Sequence, residues 1–183
     1  MVVPRGWQCE FLRRFTEARG QKSLLLAPVG CGKTSVGLQT ARALLDRKIA
    51  DVAVILVAHR ALHAQWVERA RAAGISIEPS VNHYQGTENE AFCETTNALR
   101  HGSVRNYIGR LARVRRLFIL MDELGTPSED VEGLMRDVLL AHAGNKALLL
   151  SSVAPSHIEF DAEFRVGLDL TLTWSVIDRK SVV

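Results

Sequence analysis

Cysteine, proline and aromatic residues are all scarce in this chain of 183 residues, which holds 3 Cys, 5 Pro and only 6% Phe, Trp and Tyr. Cys9, Cys31 and Cys93 are odd in number, and their spacing matches neither a zinc site nor a disulfide framework, which fits a reducing compartment. No apolar run approaches the roughly 20 residues that cross a bilayer, and Met1-Val2-Val3-Pro4-Arg5 does not begin a signal peptide. The chain is therefore expected to be cytoplasmic, with no membrane partner. Internal repeats and low-complexity segments are absent as well. Net charge is only +3, too small to establish a nucleic-acid partner.

What is present points to one well-buried globular domain. The chain is 47% hydrophobic and 23% charged, an ordinary balance for a soluble fold, and its length suits one α/β domain and not two. Charge is unevenly spread: Arg100 to Arg116 carries six arginines and no acid, whereas Asp122 to Asp137 carries six acids and one arginine.

The chain is organised around Ala27-Pro28-Val29-Gly30-Cys31-Gly32-Lys33-Thr34. Leu24, Leu25 and Leu26 read as a buried strand that hands over to this loop, and Gly30 and Gly32 let backbone N–H groups turn inward around phosphate oxygens. Lys33 would then reach the β- and γ-phosphates of a nucleotide and Thr34 would bind magnesium, while the next helix offers its positive N-terminal end. Ala27 stands where the usual pattern has its first Gly.

Upstream, Trp7 to Phe15 has apolar residues at helical spacing, with Gly20 closing the segment. Within it the Gln8 amide could read a base edge, with Trp7 as a flat surface nearby. Downstream, Ser35 to Arg47 reads as a helix and Asp51 to Ala58 (DVAVILVA) as a strand buried on both faces, which makes a strand-helix-strand unit of a parallel sheet. His59 and Arg60 follow that strand and begin a helix running to about Ala73, ended by Gly74. Ligands bind at the carboxyl ends of parallel strands, so both are placed to meet a partner. Ile75 to Val81 is a weak strand, Asn82 to Glu90 a loop, and Ala91 to Thr95 a short strand before a helix begun by Thr96-Asn97. The arginine-rich span carries an apolar stripe of Tyr107, Ile108, Leu111 and Val114, so it is either a solvated basic helix or a phosphate-backbone contact.

Leu117 to Met121 is an apolar strand that delivers Asp122 and Glu123 at its end. An Asp there can hold magnesium, and the following Glu can orient and deprotonate the water that attacks a γ-phosphate. Asp130 to Ala143 reads as an amphipathic helix ended by Gly144-Asn145, and Lys146 to Leu150 as a strand delivering Ser151 and Ser152. Beyond Pro155 an alternating pattern of Phe160, Phe164, Val166, Leu168, Leu170 and Leu172 suggests strand without indicating a role.

Together these stretches resemble the first RecA-like domain of superfamily 2 helicases and translocases, in the branch of type III restriction motors and repair helicases, over about residues 5 to 155. The implied fold is a RecA-like P-loop NTPase, an α/β domain whose mostly parallel sheet has helices on both faces. Ala27 to Thr34 looks like motif I, in which Ala at the first place is common. The resemblance implies ATP and Mg2+ as cofactors. Gln8, Pro28, Val29, Gly30, Cys31, Gly32, Lys33, Thr34 and Ser35 would bind the nucleotide, Thr34 and Asp122 the metal, and Lys33, Asp122 and Glu123 would carry catalysis. Gln8 matches the family's adenine-reading Gln. Val57 to Trp66 is similar to motif Ia and Thr95 to Leu99 to a further backbone-contact motif, so His59, Arg60 and Thr96 would face nucleic acid, expected to be DNA. Met121-Asp122-Glu123-Leu124-Gly125 is similar to motif II and Ser151 to Pro155 to motif III. Gly125 and Val153 depart from the family at places that couple hydrolysis to movement. The family also uses a second RecA-like domain, supplying arginines across the cleft, for which 183 residues leave no room.

Two functions of different class compete. The leading one is the ATP-binding motor domain of a DNA helicase or translocase. The alternative is a non-catalytic RecA-like adaptor holding DNA or a protein on the Arg100 to Arg116 face. A stand-alone kinase lacks support, because no lid-like arginine segment follows the strands.

Overall fold

The computed structural model describes residues 6–18, 20–86, 90–123, 128–155, 159–167 and 171–176. Five helices, α1 (Gly6–Glu17), α2 (Lys33–Asp46), α3 (Arg60–Ala72), α4 (Gly102–Val114) and α5 (Glu129–Ala141), alternate with strands β1 (Lys22–Leu26), β2 (Val52–Val57), β3 (Ile77–Glu78), β4 (Ala91–Thr95), β5 (Leu117–Asp122) and β6 (Lys146–Ser151). Two further strands, β7 (Ala162–Val166) and β8 (Leu172–Val176), complete a sheet of order β3-β4-β2-β5-β6-β1-β7-β8. Every pairing is parallel except β7 with β8. This is the expected RecA-like α/β architecture.

Side chains alternate along each strand, so the sheet feeds two separate cores. One holds Leu25, Ile55, Val57, Leu120 and Leu150 beneath α1, α2 and α3; the other holds Leu24, Val54, Leu56, Ile119 and Met121 beneath α4 and α5. β2 and β5 are buried along their whole length, which explains why they read as unbroken apolar runs. Gly37 lets α2 lie close to the sheet: a Cβ there would come within 2.9 Å of Leu150 and 3.1 Å of Leu120 and Trp66.

The structure corrects several local expectations. Thr96 does not open an α-helix; Thr96–Arg100 is a 3₁₀ turn, and α4 starts at Gly102. Val114 is 76% exposed and leaves the apolar stripe, because it lies six residues, about 240° of helical rotation, beyond Ile108. Trp7 is no open platform for a base, since its ring is buried with Phe11 and Phe15 in the core under α1. The unassigned tail has a structural role. β7 extends the sheet beside β1, Phe164 packs edge-on against Phe11, and the Arg14 guanidinium lies 4.6 Å over the Trp174 ring on β8. Leu168 and Leu170 of that pattern lie outside the described residues.

Three side chains reach carbonyls at or just beyond helix C-termini, where the last turn lacks intrahelical donors. Asn145 is fully buried; its amide donates to Ala112 O of α4 and Val138 O of α5, and its Oδ1 accepts the Leu117 N–H at the start of β5. Gln21 Nε2 lies 3.0–3.3 Å from the carbonyls of Leu139, His142, Ala143 and Asn145. Lys146 Nζ donates to Ala18 O and Gly20 O beyond α1, and burial pushes its pKa down. Replacing Asn145 by Ala strands three buried backbone groups, so Asn145→Ala is expected to cost about 2–4 kcal/mol in chemical denaturation, whereas replacing an exposed Asn such as Asn82, in the 3₁₀ turn Val81–His83, should cost under about 0.5 kcal/mol.

Candidate nucleotide and nucleic-acid site

The first half of the site is the turn between β1 and α2. Gly30 and Gly32 adopt φ of 79° and 104°, the left-handed region that a side chain resists. Gly32 also meets a neighbour: a Cβ there would come within 2.7 Å of Gln8 Nε2, the same amide that donates to Gly32 O at 3.3 Å. Gln8 therefore braces the loop from α1. The opening turn of α2 has no side-chain cap and no acidic residue, so its N–H groups and positive dipole end are left for an anion. Lys33 is 6% exposed, and its Nζ donates to Ala27 O at 3.0 Å and Pro28 O at 3.3 Å. These bonds hold the ammonium at the mouth of the loop. Val29 is exposed and Cys31 buried, so the loop is anchored by its thiol-bearing residue.

The second half lies two strands away, since β6 separates β1 from β5. Register brings the ends level: Leu26 faces Ser151, and Asp122 is flanked by Val57 and Leu150. Asp122 is 3% exposed; its Oδ2 accepts the Trp66 indole N–H at 2.8 Å, and its Oδ1 has no hydrogen-bond partner among the described residues. Burial raises the Asp122 pKa, opposed by the Trp66 bond and, more weakly, by Lys33. An orphaned, buried carboxylate oxygen is costly, and either a proton or a divalent cation relieves the cost. The donor set of Asp122 and the Thr34 hydroxyl therefore fits magnesium. Glu123 has φ of 48°, rare for a residue with a side chain, and its N–H donates to Leu150 O at 3.0 Å. This turn carries the Glu123 carboxylate out of the sheet to 3.4 Å from Lys33 Nζ. Backbone strain of this kind, of order 1–3 kcal/mol, gathers at functional sites.

The expected nucleic-acid residues share the same sheet edge on neighbouring strands. His59 and Arg60 are exposed after β2, with His59 Nδ1 accepting the Leu62 N–H as the cap of α3, and Thr96 is half-buried after β4. Ser151 is buried and engaged locally: its Oγ donates to Val153 O at 2.6 Å, and its carbonyl accepts the Ala27 N–H. Ser35 Oγ accepts from Gln39 within α2. Gly125, on which the expected motif II departure falls, lies outside the described residues. Sequence reasoning placed Trp66 in the motif Ia stretch without giving its side chain a role of its own; the only further signal was that a buried indole N–H needs an acceptor.

A family model for the type III restriction enzyme res subunit matches residues 1–124. The chain belongs to this family. It is a RecA-like domain of the superfamily 2 helicase kind. Uncharacterized proteins from two strains of Mycobacterium tuberculosis are 33% identical to it over 75 residues, 41% of this chain and 12% of theirs. An uncharacterized Mycobacterium leprae protein is 22% identical over 121 residues, 66% of this chain and 20% of its own. The chain thus spans a fifth or less of these relatives. A Sulfolobus solfataricus SWI2/SNF2 ATPase core, solved in complex with dsDNA, shares the fold with a TM-score of 0.55 at 13% identity, covering 84% of this chain and 32% of that one. No helix among the described residues of this RecA-like domain is long and apolar enough to cross a membrane.

The buried Asp122 carboxylate gives a stability prediction. Its folded pKa is raised, so as pH climbs past the ordinary value of 3.8 the unfolded chain releases its proton first and the native state loses stability. Asp122→Asn removes that loss. Thermal melting without metal is expected to show the variant more stable than the parent at neutral pH, with the gain shrinking as pH falls toward 3.8. A lower Tm for the variant at neutral pH would contradict it.

Proposed function

We propose that this domain is the ATP-binding half of a motor that couples ATP hydrolysis to movement on nucleic acid, most simply DNA. The observation that carries the reading is the meeting of Lys33 and Glu123 at 3.4 Å, next to the unpartnered Oδ1 of Asp122. Two stretches far apart in sequence, the start of α2 and the end of β5, converge there. The N–H groups of Gly30, Cys31 and Gly32 and the start of α2 would cradle the phosphates, flanked by Pro28, Val29 and Ser35. Lys33 would leave the Ala27 and Pro28 carbonyls for the β- and γ-phosphates. Thr34 and Asp122 would hold magnesium, which when bound would neutralise charge on the phosphate oxygens. Glu123 would orient the attacking water and take its proton. Gln8, already against the loop, would select adenine, while His59, Arg60 and Thr96 would meet the nucleic-acid backbone.

The arginines that stabilise the transition state would come from a second RecA-like domain, in cis or in trans. Their absence would lower turnover by about 10³-fold or more, so this domain by itself should hydrolyse slowly. The adaptor reading draws support from a shallow groove of about 550 Å³ between α4 and α5, lined by Arg105, Arg110 and Arg113 beside Leu134 and Leu140. Calorimetric titration with ATP and magnesium separates the two, because an adaptor gives no binding heat. In the protein carrying both domains, Lys33→Ala is expected to weaken ATP binding at least tenfold. Glu123→Gln should keep binding and lose about 10²-fold or more of the ATPase rate, as a lost general base does. Undiminished turnover in either variant sinks the assignment.

A further inference from the structure

Trp66 stands where three elements meet. It rises from the second turn of α3, is fully buried, and lies against α2 so closely that a Cβ on Gly37 would be 3.1 Å from its ring. Its Nε1 donates to Asp122 Oδ2 at 2.8 Å, across 56 residues of sequence. A carboxylate at the end of a strand ordinarily turns about its last bond and offers either oxygen, or both, to a cation. Here the ring is fixed by the core on one side and by Gly37 on the other, so its N–H direction is fixed as well. One oxygen of Asp122 is thereby committed, and the other is left without a partner.

We infer that Trp66 is a positioning residue: its indole N–H locks the Asp122 carboxylate so that Oδ1 alone is presented, in one direction, to a divalent cation. The inference rests on the magnesium-nucleotide reading of this edge and adds a residue that reading does not include. Magnesium demands near-ideal octahedral geometry and takes few carboxylate oxygens, whereas calcium accepts bidentate carboxylates and irregular shells. A carboxylate held to one free oxygen therefore favours the smaller ion. Partners that orient a ligating group are worth about 10–100-fold in metal affinity.

Trp66→Phe keeps a ring in the core and removes the donor, and Val67→Ala is a control that loosens α3 from the same core without touching Asp122. The readout is binding of a fluorescent N-methylanthraniloyl ATP, titrated with Mg2+ and separately with Ca2+. Trp66→Phe is expected to raise the Mg2+ concentration for half-saturation about 10–100-fold, to narrow or reverse the preference for Mg2+ over Ca2+, and to leave metal-free nucleotide affinity unchanged. Val67→Ala should shift none of the three. An unchanged Mg2+ requirement in Trp66→Phe overturns the inference, and so does an equal loss for both ions. Wild-type protein that binds nucleotide without any help from Mg2+ overturns the site reading itself, which is a distinct outcome. Should Trp66→Phe not fold, the indole ¹⁵N–H resonances of the wild type decide: Trp66 must shift on adding Mg2+ to the nucleotide-bound protein while Trp174 on β8 stays in place, and a stationary Trp66 signal overturns the inference.

Discussion

A carboxylate buried at the end of the central strand, with one oxygen held by an indole and the other unpartnered, is the constraint on which the site depends. Desolvation opposes its charged form, and the Trp66 bond offsets this only in part. The surrounding fold must therefore over-determine its position. β5 does so by lying between β2 and β6 in the middle of the sheet, with all six of its residues buried. The strained turn at Glu123 then carries the next carboxylate away from Asp122 and toward Lys33, so two adjacent acids face different partners.

Stability and chemistry are divided between the two edges of the sheet. At the amino-terminal edge, Asn145 and Gln21 reach across to the C-terminal carbonyls of α4 and α5, Lys146 to those just beyond α1, and Asp51 pairs with both the backbone N–H and the guanidinium of Arg116. The Arg116 partner holds the Asp51 carboxyl below its ordinary pKa, so that tie persists well into acid. At the carboxyl-terminal edge, α2 begins uncapped, Asp122 has an orphaned oxygen, and His59 and Arg60 stand exposed. The orphaned Asp122 oxygen and the uncapped start of α2 thus share the edge where ligands bind in parallel α/β sheets.

Much of this was legible in residue order. The apolar runs at Leu24 to Leu26, Val52 to Val57 and Leu117 to Met121 are strands because parallel strands covered on both faces read as near-continuous apolar runs, and the phosphate loop follows from glycine spacing. β7 and β8 were less clear, because an alternating pattern sets a half-buried strand but not its neighbour in the sheet. The start of α4 was misplaced by several residues, since Thr96 and Asn97 suit a cap equally well for a 3₁₀ turn and for an α-helix.

The sequence by itself determined the loop from Ala27 to Thr34, the acids at the end of β5 and the alternation of strands with helices, because each is written in local spacing and in runs of one polarity, whereas the order of strands across the sheet is not. Only the tertiary structure decided that Gln8 braces Gly32, that Glu123 turns onto Lys33, and that Trp66 claims one oxygen of Asp122. Those contacts join residues 24, 90 and 56 positions apart along the chain, a separation at which spacing carries no information and the packing of helices on the sheet alone brings partners together.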